Sequence, residues 1–274
     1  MTILLTGATG FVGRHVLRAL GERGCRVRPV VRKGKQNMLA NSRAIERIVA
    51  SPDIFSENVA WWTEACSGVN TVIHAAWYAE PGEYLQSSKN QDCRSGTLRL
   101  AEGAVQAKVR RFVGIGTCFE YDLGAARLKI DTPLRPSTPY AQAKVDVFNA
   151  LSASLPGRGV AFAWCRLFYL YGEGEDARRL VPYVRARLQA GEPVELSSGS
   201  QIRDFLDVRE AARMIVDVAL GPEKGPVNIC SGKPVTVREV AERVADEFGR
   251  RDLLHFGARA DNPGDPPCVV GIPG

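Results

Sequence analysis

Tyr140 and Lys144, four positions apart in "PYAQAK", are the side chains here with the most direct chemical meaning. In a helical pattern that spacing puts both on one face. An ammonium beside a phenol favours the phenolate and draws its pKa from near 10 toward neutrality, making tyrosine usable as a general acid or base. Taken alone, such a pair is as often two surface neighbours. A third group lies upstream in "VGIGTCFEYD", where an apolar run ends at Gly116 and Thr117 offers a hydroxyl. That is the carboxyl end of a strand, the edge at which open α/β sheets bind ligands, although a plain turn residue would read the same way.

A second group of residues suits an anion. "TGATGFVG", residues 6–13, holds Gly7, Gly10 and Gly13 at spacing three, directly after the β-rich "TILL" and before apolar repeats at Val12, Val16, Leu17 and Leu20. Strand, glycine turn and helix in that order aim backbone N–H groups and a helix N-terminus at a phosphate. Thr9, Phe11 and Val12 belong to the same turn. About 20 residues on, a dinucleotide fold puts an acid on the adenosine ribose when the cofactor is NAD. Here "CRVRPVV" runs instead into Arg32-Lys33-Gly34. Two cations suit the 2′-phosphate of NADP, and arginine can bind it with two hydrogen bonds, though a solvated basic turn has the same composition. Arg14 is a further candidate for that phosphate. Asp53, next to Ile54 in "SPDI", could accept from the adenine amino group or cap a helix.

These groups need a scaffold, and the chain supplies an alternating one. Strands are expected at 2–6, 26–31, 45–49, 69–74, 111–116 and 160–166, with helices near 11–23, 57–66, 83–107 and 138–155. Such alternation predicts an α/β fold, a doubly wound parallel (Rossmann) sheet covered on both faces. After "RLFYLYG" the order loosens: a helix near 176–190, a short strand in "AGEPVEL", "RDFLDV", a helix at 208–220, a strand at 226–230 and a helix from Thr236. This predicts a dinucleotide-binding domain over 1–166, with returning segments near 202–220. A smaller, interleaved C-terminal substrate lobe would take 167–201 and 221–274. The tail from Asp261 is rich in proline and glycine and shows no helical pattern, where one more helix is expected.

Composition narrows the classes. The chain has 274 residues, 45% hydrophobic and 24% charged, with net charge +6 spread along it rather than gathered in an arm. That favours a small anionic ligand over nucleic acid. The seven cysteines show no CxxC or CxxH spacing, so neither a disulfide framework nor a metal site is expected, and a cytoplasmic location is. No apolar run is long enough to span a membrane, and the glycine turn comes too early for a signal peptide.

Taken together, "TGATGFVG", "VIHAAW", "GT" at 96–97, "GTCFEYD", "PYAQAK", "RLFYLYG" and "RDFLDV" resemble the extended short-chain dehydrogenase/reductase family, which includes nucleotide-sugar epimerases, dehydratases and reductases. The resemblance covers nearly the whole chain. It implies that the three glycines form the pyrophosphate turn, with Ala75 and Ala76 also at the cofactor. It implies that Tyr140 is the catalytic acid/base, that Lys144 holds the nicotinamide ribose and that Thr117 bonds the substrate carbonyl. Arg203 would hold the diphosphate of a nucleotide sugar, an exposed cation being the plainer alternative. Trp77, Cys118, Tyr169 and Arg179 would face substrate.

Departures from the family pattern refine the activity. Dehydratases carry an Asp-Glu pair directly after the hydroxyl residue, where this chain has Cys118 and Phe119; Glu120 is displaced by one. Reductases that also epimerise carbons 3 and 5 have a cysteine two residues after the hydroxyl, here one. Cys93 and Tyr169 stand where relatives have asparagine. The resemblance thus implies an NADPH-dependent reductase of a nucleotide-linked 4-keto-6-deoxy sugar, with NAD the less expected cofactor and a homodimer formed through the helices at 83–107 and 138–155. A 4-epimerase with retained NAD would use the same three side chains. An NADP sensor would not need a poised phenol, and a reductase of non-nucleotide ketones would not need Arg203.

Overall fold

The computed structural model describes residues 1–39, 42–125 and 127–273. The first half of the chain runs β1 (Thr2–Thr6), α1 (Phe11–Glu22), β2 (Arg26–Arg32), β3 (Val49–Ser51), α2 (Val59–Ala65), β4 (Thr71–His74), α3 (Lys89–Gln106), β5 (Arg111–Thr117), α4 (Pro139–Ser154) and β6 (Ala161–Leu167). The second half adds β7 (Tyr169–Tyr171), α5 (Leu180–Gln189), β8 (Val194–Leu196), β9 (Ile202–Asp207), α6 (Val208–Leu220), β10 (Gly225–Ile229), β11 (Pro234–Thr236), α7 (Val237–Asp246), β12 (Leu254–Phe256) and β13 (Cys268–Val269).

Seven strands form one parallel sheet in the order β10-β6-β5-β4-β1-β2-β3. The order reverses direction beside β1, and that switch point opens a crevice at the carboxyl edge. Both faces are covered, as near-continuous apolar strands require. One core layer joins Ile3, Leu5 and Val113 to α1 and α6, and the other joins Leu4, Val72 and Phe112 to α2, α3 and α4. β9 is the centre of a second, small sheet, flanked by β11 and β13 and extended by β7, while β8 and β12 pair separately.

The segments exchange places relative to the sequence expectation. Strand 202–207 belongs to the small sheet rather than returning to the large one, and 225–229 is the large sheet's seventh strand rather than part of the lobe. From the returning segment, α6 and Leu206 of β9 pack against the main core. What fixes β10 is a non-local network: buried Asn228 accepts from the Tyr121 hydroxyl at 2.7 Å and donates to the Leu128 and Ile272 carbonyls.

Two elements are displaced. The third strand lies at 49–51, and Ile45 makes only an isolated bridge to Val27. α3 begins at Lys89 rather than near 83, because Gly82 adopts φ +86° and the Asn90 amide binds the Tyr84 and Ser87 carbonyls. Among the described residues the exposed large hydrophobic side chains are Met1, Met38 and Ile130, and Leu98 and Val105 of α3 and Phe148 of α4 are half-buried. No described helix is long and apolar enough to cross a membrane.

Candidate active site

The carboxyl ends of β1, β4, β5 and β6 open on one cavity of about 1330 Å³. Its first wall is bare backbone. Gly7 follows β1 with φ +74°, and a side chain there would bring Cβ to 2.8 Å from the Ala75 carbonyl carbon and the Ala76 nitrogen. At Gly13 a Cβ would lie 2.0 Å from the Gly7 carbonyl oxygen, so only glycine lets α1 seat its first turn on the loop. Gly10 donates to Gly7 at 2.9 Å, and α1 has no acid in its first turn. These features fit a dinucleotide's diphosphate at the helix N-terminus. Thr9, Phe11, Val12, Ile54, Ala75 and Ala76 line the same cavity.

Buried hydrogen bonds fix this wall. Thr97 donates to the Cys93 carbonyl, so it accepts from His74 Nε2 at 2.8 Å, leaving His74 Nδ1 to accept from Thr6 at 2.8 Å. Thr6 in turn accepts from the Ala76 amide. The imidazole is neutral, its pKa pushed down to about 3 by burial and then by the Lys144 charge.

The expected pair of cations resolves differently. Arg32 lines the cavity, but Lys33 does not; it sits exposed at the corner of a turn in which Lys35 donates to the Arg32 carbonyl and Gly34 has φ +88°. The turn delivers Lys35 to the cavity instead. Arg14 is also outside the lining, because its guanidinium folds back on the glycine turn to bond the Gly10 and Thr9 carbonyls at 3.3 and 3.2 Å. Asp53 lines the cavity with its carboxylate already accepting from Phe55 N–H and the Ser56 hydroxyl, while Asn58 caps α2.

At the reacting end, Thr138 caps α4 and Pro139 opens it, presenting Tyr140 and Lys144 to the end of β5, where Thr117 stands. All three line the cavity. Lys144 is 4% exposed, with Nζ donating to the Ile115 carbonyl at 2.6 Å and lying 3.7 Å from the Trp77 ring centre. It is 5.8 Å from the centre of the Tyr140 ring. The phenol is therefore not drawn toward neutrality as the spacing suggested. Burial first, then Tyr84 and Glu120, push the Tyr140 pKa up, and a hydrogen bond with Thr117 opposes them only in part. Burial also pushes the Lys144 ammonium down to about 7, against the pull of Glu120. Tyr140 thus rests as a neutral phenol holding its proton.

Glu120, the displaced acid, turns into the core. It is fully buried, 2.6 Å from Arg166 Nε, and accepts from Trp164 Nε1 and the Thr117 amide. Cys118 and Phe119 line the cavity beside Thr117 instead. Burial pushes the Cys118 thiol up to about 12, far from a reactive thiolate.

From the reactive hydroxyls two walls lead away, each ending in an arginine. One passes from Thr117 to Phe119, whose ring meets Tyr169 edge-on at 6.2 Å, and on to Arg203, 5.3 Å from the Tyr169 ring centre. The other passes from Tyr140 to Tyr84 at 4.9 Å and then to exposed Arg179, 5.8 Å from the Tyr84 ring centre. Arg203 is 2% exposed rather than a surface cation, and its Nη2 lies 2.7 Å from Asp265 of the tail. Sequence reasoning passed over Tyr84, Lys35, Phe205, Glu175 and Asp265, all of which line the cavity. Lys35, two residues beyond Lys33, could have been found; Asp265 gives no local signal.

The model of the "NAD dependent epimerase/dehydratase family" matches residues 3–230, which include the glycine turn, Thr117, Tyr140, Lys144 and Arg203. The chain belongs to this family. It is an NAD(P)-dependent oxidoreductase of the extended short-chain dehydrogenase/reductase type, and its relatives modify nucleotide sugars. It is 24% identical over 252 residues to the dTDP-6-deoxy-L-talose 4-dehydrogenase (NAD(+)) of Aggregatibacter actinomycetemcomitans, covering 90% of each chain. It is 23% identical to the dTDP-4-dehydro-6-deoxy-D-allose reductase of Streptomyces bikiniensis, covering 99% of this chain and 86% of the other. Among solved structures, MoeE5 in complex with UDP-glucuronic acid and NAD superposes with a TM-score of 0.82 at 27% identity, covering 99% and 90% of the two chains. The fold is shared more widely: UDP-glucose 4-epimerase from Thermotoga maritima reaches 0.86 at 20% identity over 100% of this chain and 90% of that one. Because one fold hosts many activities, the activity of this chain has to be read from the side chains lining its own cavity.

Proposed function

We propose that this oxidoreductase reduces the 4-keto group of a nucleotide-linked 4-keto-6-deoxy hexose, with NADPH as reductant. The observation that carries the reading is the surroundings of Thr117. The two positions after it are a thiol and a phenyl ring, and the acid that follows them, Glu120, is tied to Arg166 inside the core. The positions where dehydratases carry their Asp-Glu pair thus hold no carboxylate to assist elimination of water, whereas the groups needed at a carbonyl are present. The substrate oxygen would sit between the Thr117 and Tyr140 hydroxyls, with the diphosphate toward Arg203 and Arg179. Because Tyr140 rests protonated, it has the proton that the oxygen needs as it becomes an alkoxide. Thr117 donates a hydrogen bond to that developing charge. Lys144 then stabilises the phenolate left behind. The reduced nicotinamide, when bound, supplies the hydride. Gly7, Gly10 and Gly13 would hold its diphosphate, and Arg32 with Lys35 the 2′-phosphate of NADP. Relatives whose names specify 4-dehydrogenation or 4-dehydro reduction of 6-deoxy sugars support the same reading.

A second reading, a 4-epimerase that keeps NAD, uses the same three side chains and is favoured by the NAD in the MoeE5 complex. Stoichiometry separates the two. Mixed with a panel of nucleotide-linked 4-keto-6-deoxy hexoses, the enzyme should consume one NADPH per sugar, read at the nicotinamide absorbance. No consumption, together with inversion of a 4-hydroxy sugar nucleotide at constant cofactor, overturns the reductase reading. We also propose a homodimer through α3 and α4, in the cytosol; sedimentation at micromolar concentration showing only the 29.8 kDa monomer would refute the dimer.

A further inference from the structure

We infer that Phe119 sets the preference for a sugar bearing a methyl rather than a hydroxymethyl group at carbon 5; the inference rests on the proposed placement of the hexose between Thr117 and Arg203. A pyranose held by carbon 4 at Thr117 and Tyr140, and by the diphosphate on carbon 1 at the arginines, must turn one edge to each wall. The two edges differ. One carries the hydroxyls of carbons 2 and 3, the other carbon 5 and its substituent.

The walls differ in the same sense. Beside Thr117 stand the Cys118 thiol, 2% exposed, and the Phe119 ring, followed by Tyr169, a phenol that does carry a hydroxyl, and by the Phe205 ring 5.9 Å from it. The apolar part of this wall is therefore Cys118, Phe119 and Phe205. Phe119 spends its backbone N–H on the Thr117 hydroxyl at 3.3 Å, and its side chain has no hydrogen-bonding atom. Glu120, the polar side chain nearest in sequence, is committed to Arg166 and Trp164. The opposite wall is phenolic, with Tyr84 against Tyr140 and Tyr78 bonded to Glu83. Sugar hydroxyls find partners there, whereas a hydroxyl at carbon 6 against Phe119 would lose water and gain no partner. An apolar pocket rejects an added hydroxyl only moderately, by about 10- to 100-fold.

The test compares dTDP-6-deoxyglucose with dTDP-glucose, a pair differing by one oxygen, by calorimetric titration into the protein saturated with NADPH. The unaltered protein should bind the 6-deoxy member about 10- to 100-fold more tightly. Phe119→Thr should bring the ratio below about threefold, mainly by improving the glucose derivative. Its melting temperature and its affinity for dTDP alone report on folding and on the diphosphate site. Phe119→Leu, apolar and non-aromatic, should keep the preference. Equal affinities in the unaltered protein, or a ratio that survives Phe119→Thr, would overturn the inference while leaving a nucleotide-sugar site intact. If neither sugar nor dTDP itself binds, the placement fails and the inference with it. Turnover is not read, so loss of the reductase reading would leave the binding ratio to be judged by itself.

Discussion

Glu120→Gln isolates the electrostatics beneath the reactive threonine. The amide has nearly the shape of the carboxylate, and its oxygen can still accept from the Thr117 amide and Trp164 Nε1, now at 2.8 and 2.9 Å. The negative charge is lost, while Arg166, 1% exposed, keeps its positive one between the Tyr121 and Phe148 rings. Stranding a buried charge in this way costs about 3–5 kcal/mol. At about 2–4 °C per kcal/mol in a chain of this size, the melting midpoint should fall by roughly 6–20 °C. Adding Arg166→Met removes the stranded cation and should recover at least half of the loss. In a urea denaturation cycle followed by tryptophan fluorescence, the coupling should be about 2 kcal/mol or more. If Glu120→Gln stays within about 1 kcal/mol of the unaltered protein, or the two substitutions simply add, the pair does not stabilise Thr117 in the way described.

Tyr140→Phe should abolish turnover with cofactor and sugar-nucleotide affinities nearly intact, and Thr117→Val should lower kcat about 10²-fold, both read from initial rates beside binding titrations. Arg32→Ala should erase most of an at least tenfold NADPH-over-NADH preference, about 1.4 kcal/mol, with Lys35→Ala intermediate and Lys33→Ala silent; a Lys33→Ala effect equal to that of Arg32→Ala would show the turn placed wrongly. Burial pushes the Glu175 carboxyl up to about 7 from an ordinary 4.5, so the folded state binds this proton more tightly than the unfolded state. Its contribution to stability is full below pH 4.5 and is lost as pH rises through 7. Glu175→Gln should therefore melt higher than the unaltered protein at pH 8, by roughly 1–3 kcal/mol once partial exposure is allowed for, and match it at pH 4; parallel melting curves would refute the shift.

What the sequence made legible was local. The glycines at spacing three, the strand–helix alternation and the four-residue step from Tyr140 to Lys144 depend on neighbours along the chain, and the structure builds each of them. What it obscured depends on geometry or on distance. Arg32 and Lys33 look equivalent until Gly34 turns the chain and exchanges Lys33 for Lys35. β9 and β10 are both short buried strands, and only long-range partners such as Asn228 assign one to the large sheet and the other to the small. The four-residue step reports the lysine near Tyr140 but not the burial that both groups share, which pushes the phenol's pKa up and the ammonium's down. Arg203 was found by its motif, yet its partner Asp265 lies 62 positions later, beyond any local pattern.

The small sheet also bears on the order in which the molecule is built and comes apart. β9 takes its partners from 169–171, 234–236 and 268–269, and the buried Asp204 carboxylate accepts from the Ser231, Gly232 and Gly271 amides. The arginine end of the cavity is therefore stitched from four distant stretches of chain, and β13 contributes only two residues to it. The dinucleotide end is complete once α6 has packed beside α1 on the large sheet, before β11 and β13 join β9. During synthesis, a cradle able to take a dinucleotide should exist before any grip on a sugar-nucleotide does. In the mature protein, opening of the last stitch should release the sugar-nucleotide end while the seven-stranded sheet stays closed, a gradient that hydrogen exchange would show as early labelling of Ser231, Gly232 and Gly271 against protected β1 and β4 amides.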